Sequence, residues 1–365
     1  MKPLPHTHLS GIEPYKPGRP IEEVERELGL SGTIKLASNE NPLGASPAAI
    51  EAVRKAVERI HFYPESGAPE LAAKLAAKLG VDPASLVFGN GSNELIELSA
   101  RAFAGAGDEI VFSADGFAIY ALVAQSIDAR AVPVPPRDHH HDLPAIAAAI
   151  GPRTRVVFLA NPNNPTGTIF RRAEWETFVR RVPDDVLLVV DQAYCEYVDD
   201  ADYPLLLDEL PRRPGMVLLR TFSKIYGLAG LRIGYAVGDR EVIDAISRLR
   251  QPFNVNSLAQ AAALAALDDD AHVERSRRVA LAGRDTFARA LAALGVVYVP
   301  SHANFVLVDV GDGAAVTEAL LRCGVIVRPM SGYGMPSKIR ITFGTDEQNR
   351  RCLDALSAVL AERKS

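Results

Sequence analysis

Cysteine is scarce in this chain: Cys195, Cys323 and Cys352 are the only three in 365 residues. Odd in number and far apart, they make neither a disulfide framework nor the paired spacing of a zinc site, and they read as reduced thiols. Long apolar runs are missing too. The longest are strand-sized and Met1 to Ser10 carries no apolar core of signal-peptide length, which points to a soluble, cytoplasmic protein with no membrane partner. Neither sign of charge dominates: forty basic residues face forty-five acidic ones, for a formal charge of −5. No lysine or arginine run is long enough to track a phosphate backbone, so nucleic acid is not an expected partner. The chain also lacks a G-x-x-x-x-G-K-[ST] string and any internal repeat. Asp138-His-His-His-Asp142 is the one cluster with metal-ligand chemistry. Adjacent loop histidines rarely converge on one ion, and no metal is expected.

What is present is a 48% apolar chain, long enough for about two domains. Residues 1–20, rich in proline and glycine, read as an extended arm, followed by a helix at 21–28. Helices then alternate with strands: helices at 47–59, 69–79 and 94–103, strands at 85–88 and 109–112. The apolar runs 156–159, 186–190 and 217–219 read as strands buried on both faces, so the expected architecture is α/β, a mostly parallel sheet covered by helices. From 258 the texture shifts to helices at 258–267 and 271–294 and strands at 305–308, 325–327 and 339–343, a smaller α+β domain. The expected boundaries are an arm at 1–45, a large domain at 46–257 and a small domain at 258–365.

Ligands in such sheets gather beyond the strand carboxyl ends, and the unusual residues fall there. Gly89-Asn-Gly-Ser-Asn93 follows a strand and opens a helix, offering backbone amides and a dipole end to an anion, although a plain strand-to-helix turn reads the same way. A dinucleotide fingerprint would need glycine where Glu94 stands. Asn161-Pro-Asn-Asn-Pro-Thr-Gly167 combines a rigid backbone with three side-chain amides. Asp191 ends a buried strand, where a carboxylate must be solvated, paired with a cation or used as a cap, and Tyr194 follows it. Between Arg220 and Arg232 the only ionisable side chains are Lys224 and Tyr226. Lys224 is either a loop lysine or an amine whose desolvation makes it nucleophilic. An amine, a phosphate cradle, a buried carboxylate and a phenol match the needs of pyridoxal phosphate: a lysine for its aldehyde, an acid for its ring nitrogen and a cradle for its phosphate.

Ala37-Ser-Asn-Glu-Asn-Pro-Leu-Gly44, Gly89 to Leu95, Asn161 to Gly167 and Thr221 to Tyr235 resemble, in order, the motifs of histidinol-phosphate aminotransferases, which have the type I fold of pyridoxal-phosphate enzymes. The resemblance implies Lys224 as the lysine that binds the cofactor aldehyde and shuttles the proton, with Asp191 on the pyridinium nitrogen. It places Asn164 and Tyr194 on the ring hydroxyl and Phe117 against the ring face. Gly91, Ser92, Asn93, Ser223 and Arg232 would hold the phosphate, with Thr221 beside them. Tyr63 resembles the tyrosine that reaches the neighbouring subunit's cofactor phosphate, which implies a homodimer with shared sites. Arg340 would take the carboxylate or phosphate of alternating substrates, supplemented by Arg328 and Tyr15 for the phosphate dianion. Asn39 completes the substrate-binding set. Asn93, where relatives often carry aspartate, and Ala114-Asp-Gly116, where many carry a proline-containing string, depart from the pattern. The implied reaction exchanges an amino group between histidinol phosphate and 2-oxoglutarate in histidine biosynthesis. Aromatic amino-acid transamination and decarboxylation of a threonine-phosphate type are the alternatives.

Overall fold

The computed structural model describes residues 4–14 and 18–363, so Tyr15 lies outside the described residues. The chain opens with α1 (Ile21–Leu28) and β1 (Ile34–Lys35) and enters the larger unit through α2 (Pro47–Ala56) and α3 (Pro69–Leu79). There follow β2 (Leu86–Gly89), α4 (Ser92–Phe103), β3 (Glu109–Ser113), α5 (Ile119–Ser126), β4 (Arg130–Val134), α6 (Leu143–Ala149), β5 (Thr154–Ala160), α7 (Arg172–Val179) and β6 (Leu187–Asp191). Next come β7 (Met216–Thr221), β8 (Gly234–Gly238), α8 (Arg240–Ser247) and α9 (Ser257–Ala266). The rest is α10 (Asp270–Ala293), β9 (Tyr298–Val299), β10 (Phe305–Asp309), α11 (Gly313–Arg322), β11 (Val325–Ile326), β12 (Arg328–Pro329), β13 (Lys338–Thr342) and α12 (Asp346–Glu362).

The large sheet runs in the order β2-β8-β7-β6-β5-β3-β4. Only β8 is antiparallel to its neighbours. Helices cover both faces, and the strand side chains divide accordingly: Val157, Leu159, Leu188, Val190 and Leu218 enter one core. Val156, Phe158, Leu187, Val189 and Leu219 enter the other. That is why β5 and β6 are nearly uninterrupted apolar runs. β4 and β8 were not expected; Arg130 and Pro133 dilute the apolar signal of the first, and Gly234 and Gly238 that of the second.

The smaller unit has a four-stranded sheet, β12-β13-β10-β9, packed with α10, α11 and α12 around Phe287, Val306, Ile341 and Leu356. The segment after α1 joins it, with β1 pairing in parallel with β11 and Leu36 entering the same core. One expectation needs correcting: α9, assigned from the sequence to the small domain, buries Ala259, Ala262, Ala263 and Ala266 in the large core together with Ala49 of α2. Its alanines permit close helix-to-helix approach, and we place the division between the units after α9 rather than before it. No helix among the described residues is long and apolar enough to cross a membrane.

Candidate active site

The carboxyl ends of β5, β6 and β7 open into a cavity of about 500 Å³ closed on one side by the smaller unit. Thirteen of the residues singled out from sequence line it: Asn39, Ser92, Asn93, Phe117, Asn164, Asp191, Tyr194, Thr221, Ser223, Lys224, Arg232, Arg328 and Arg340. Gly91 lies just behind, against Arg232. Tyr63 does not line the cavity; it is 82% exposed and stacks on Phe253 with ring centroids 4.7 Å apart.

Lys224 follows β7 in a turn closed by the Gly227 N–H donating to the Lys224 carbonyl. Its Nζ donates to the Ser38 carbonyl at 3.2 Å and stands 5.6 Å from the centre of the Tyr194 ring. Burial, and after it the Arg340 guanidinium, brings the amine down from 10.5 to about 8. Asp191, the last residue of β6, is 7% exposed. Burial raises its carboxyl from 3.8 to about 6, opposed by donors at both oxygens. The Ala193 N–H donates to Oδ1 at 3.0 Å and the Tyr120 hydroxyl to Oδ2 at 3.3 Å. Both donors are neutral, and the Lys224 amine adds a smaller favourable charge than burial takes away. Tyr194 accepts from Asn39 Nδ2 at 2.9 Å, and burial pushes its phenol well above its ordinary value.

The β2–α4 turn is held open for an anion. Gly91 has φ of 77°, and a Cβ there would fall 2.3 Å from Arg232 Nη2. Gly234 is equally constrained, since a Cβ would meet the Ser92 nitrogen at 2.4 Å. Beyond Gly91 the first amides of α4 have no partner inside the helix. Arg232 Nη1 donates to Ser223 Oγ at 3.4 Å and to the Ala229 carbonyl at 3.0 Å. Thr221 Oγ1 accepts the Ser223 N–H at 3.0 Å. Glu94 braces the turn from below, accepting from the Asn90 N–H at 2.6 Å and from Asn254 Nδ2 at 2.7 Å. Backbone amides, two hydroxyls and a guanidinium thus meet at one point.

The smaller unit supplies a second basic end. Arg340 and Arg328 are cross-strand partners on β13 and β12. Arg340 is buried, donates to Asn164 Oδ1 and to the Ala37 carbonyl at 2.8 Å, and lies 5.2 Å from the Phe305 ring centre. Asn39 ties the units together: its N–H donates to Thr342 Oγ1 at 2.9 Å, and its carbonyl accepts from Asn304 Nδ2 at 3.1 Å.

Sequence reasoning missed Tyr120 as the partner of Asp191. The residue is one helix turn from Phe117, and only its parallel stack on Phe158, at 4.8 Å, aims the hydroxyl at the carboxylate. The three histidines do not converge: His139, His140 and His141 turn to Asp115, the Asp138 carbonyl and the Ala160 carbonyl.

The seven-stranded sheet has one antiparallel strand, a lysine in the loop after β7 and an aspartate ending β6, and the family model "Aminotransferase class I and II" matches residues 31–356, which makes the chain an aminotransferase. More narrowly, the chain is 50% identical over 361 residues to the histidinol-phosphate aminotransferase of Anaeromyxobacter sp. (strain Fw109-5), covering 98% of this chain and 99% of the relative. To that of Moorella thermoacetica it is 49% identical, covering 97% and 92%. The crystal structure of the Sinorhizobium meliloti histidinol-phosphate aminotransferase in complex with pyridoxal-5'-phosphate matches with a TM-score of 0.89 at 30% identity, covering 98% of each chain. The chain belongs to the histidinol-phosphate aminotransferase family.

Proposed function

We propose that this chain catalyses the reversible pyridoxal-phosphate-dependent transfer of an amino group from histidinol phosphate to 2-oxoglutarate, giving imidazole-acetol phosphate and glutamate, in cytoplasmic histidine biosynthesis. The observation that carries the reading is a single cavity with two anion-binding ends, Gly91 to Asn93 with Arg232 at one and Arg340 with Arg328 at the other. The Lys224 amine feels both guanidinium groups, Arg340 more than Arg232. One end suits the cofactor phosphate, and the other suits the phosphate or carboxylate of alternating substrates.

The residues fit the cofactor. A side chain at Gly91 would fill the cradle, and Asp191 is a buried carboxylate with only neutral donors. Gly91, Ser92, Asn93, Thr221, Ser223 and Arg232 would hold the phosphate, Asp191 the ring nitrogen, Asn164 and Tyr194 the ring hydroxyl, and Phe117 the ring face. Bound there, pyridoxal phosphate supplies an aldehyde that takes up amines covalently and a ring that accepts electrons from the substrate's α-carbon.

The remaining chemistry belongs to the chain. With its amine near 8, about one Lys224 in ten is uncharged at pH 7, against roughly one in three thousand for an ordinary lysine. Nζ is therefore available as a nucleophile and as the base that moves the proton at the substrate's amine-bearing carbon. Arg340 binds and orients the substrate anion, and Arg328 adds charge for a dianion. Asn39, bonded to both Tyr194 and Thr342, fixes the smaller unit against the site. Exposed Ile60, Phe62, Tyr63 and Phe253 favour a homodimer in which Tyr63 completes the partner's cradle.

The test is to load the purified protein with pyridoxal phosphate and add histidinol phosphate, phenylalanine or phosphothreonine separately. Histidinol phosphate should discharge the visible absorbance of the lysine-bound cofactor at the lowest concentration, and 2-oxoglutarate should restore it. Faster discharge by phenylalanine would make the chain an aromatic aminotransferase, and released carbon dioxide a decarboxylase.

A further inference from the structure

The Asp138–Asp142 run stands where two cavity-lining loops meet. Asp138 (φ 48°) and His139 (φ 64°) both adopt left-handed backbone, which residues other than glycine keep only when their surroundings enforce it. Here the enforcement comes from the loops after β3 and β5. His139 Nδ1 lies 2.9 Å from Asp115 Oδ2. An ionised carboxylate only accepts, so the ring nitrogen donates. The backbones of the same two residues are tied as well: Thr168 Oγ1 donates to the His139 carbonyl at 2.9 Å, and Asn163 Nδ2 to the Asp115 carbonyl at 2.9 Å. His141 Nε2 donates to the carbonyl of Ala160, the last residue of β5, at 2.9 Å. Asp115 precedes Phe117 by two residues, and Asn163 adjoins Asn164.

We propose that His139 and Asp115 form a positioning pair that fixes Phe117 and Asn164 for the cofactor ring. The inference rests on the pyridoxal-phosphate reading above. Neither residue of the pair lines the cavity, so neither touches the ring. Each acts through a neighbour that does line it. The Asp115 side chain is 14% exposed and that of His139 31%, so the contact is partly shielded from water, and losing the imidazole leaves a carboxylate unpaired beside Phe117. The same bond joins the loop after β3 to the loop after β4, and the Thr168–His139 bond carries the link on to the loop after β5.

The test strips and reloads the full-length protein with pyridoxal phosphate and reads equilibrium affinity and the visible spectrum of the bound cofactor. Failure of the unaltered protein to bind would defeat the proposed function, and this proposal with it. Given binding, His139→Ala and Asp115→Ala each weaken affinity about tenfold and shift the bound spectrum. His139→Asn restores both, because its amide nitrogen occupies the place of Nδ1 on Cγ and asparagine tolerates left-handed backbone. In a Phe117→Leu background, His139→Ala costs about twofold or less, since part of what it positions is already gone. Affinity within about twofold of the unaltered protein in both alanine variants, no recovery with asparagine, or a full tenfold further loss in the Phe117→Leu background would overturn the pair while leaving the function intact.

Discussion

Replacing Asp191 by asparagine should make the cofactor-free protein more stable at neutral pH while destroying its grip on the cofactor. Burial raises this carboxyl from 3.8 to about 6, so the folded chain holds a proton that the unfolded chain has released. Below about pH 3.8 both states are protonated and the residue contributes nothing. As pH rises toward 6 stability falls, and above 6 the full cost is present. At 1.36 kcal/mol per unit, the cost approaches roughly 3 kcal/mol. Asparagine keeps the geometry: its oxygen can accept from the Ala193 N–H, and its amide can donate to a rotated Tyr120 hydroxyl. It cannot ionise. Urea unfolding of the apoprotein can be followed by Trp175, the single tryptophan, which is buried in the large core. The variant's midpoint should exceed the parent's by about 1 M at pH 7.5, for a slope near 3 kcal/mol/M, and by about a third of that at pH 4.5. With cofactor present the order should reverse, because a pyridinium nitrogen supplies the missing positive charge. An equal difference at both pH values, or a more stable parent apoprotein at pH 7.5, would refute the reasoning.

Cofactor uptake by the apoprotein should accelerate about tenfold per unit up to pH 8 and then level, as the Lys224 amine loses its proton; the growth of visible absorbance measures it. Gly91→Ala, which drives a Cβ into Arg232 and puts a side chain at φ 77°, should weaken cofactor affinity at least about tenfold by equilibrium titration and lower apoprotein stability by about 1–3 kcal/mol in urea unfolding. Arg340→Gln should lower kcat/KM for both histidinol phosphate and glutamate about a hundredfold, whereas Arg328→Gln should affect the phosphorylated substrate more; equal losses from Arg328→Gln would undo that division of labour. Mixing inactive Lys224→Ala and Tyr63→Ala chains should recover about a quarter of full activity per site if subunits exchange and Tyr63 serves its partner; no recovery, with exchange verified, would count against a shared site.

The site was more legible in this sequence than the frame around it. Lys224, Asp191 and the Gly91 turn betray themselves because each breaks a local rule: an amine without charged neighbours, a carboxylate at the mouth of an apolar strand, a glycine that no helix start requires. Strands β5, β6 and β7 were readable for a related reason, since burial on two faces removes polar residues altogether. β8 was hidden because it lies inside a motif recognised for its chemistry, and its glycines serve close approach rather than strand propensity. Tyr120 carried no signal, because a tyrosine on a core-facing helix is ordinary until the strand opposite is known. The alanines of α9 were legible as a helix but not as to which core they enter, a question decided by α2, some two hundred residues earlier.

The pairing of β1 with β11 bears on how the protein is made. Ile34 and Lys35 cannot find Val325 and Ile326, nor Asn39 find Thr342, until about 290 further residues have been made. At 5–20 residues per second the early segment waits on the order of fifteen seconds or more for its partners, while the contacts within the large sheet are already available. Asn39 and Ala37 belong to that waiting segment, and they hold Tyr194 and Arg340. A nascent chain can therefore carry a finished sheet with Lys224 and Asp191 in place and still lack one wall of its cavity, so that the catalytic site is finished by a strand made long after the groups that do its chemistry.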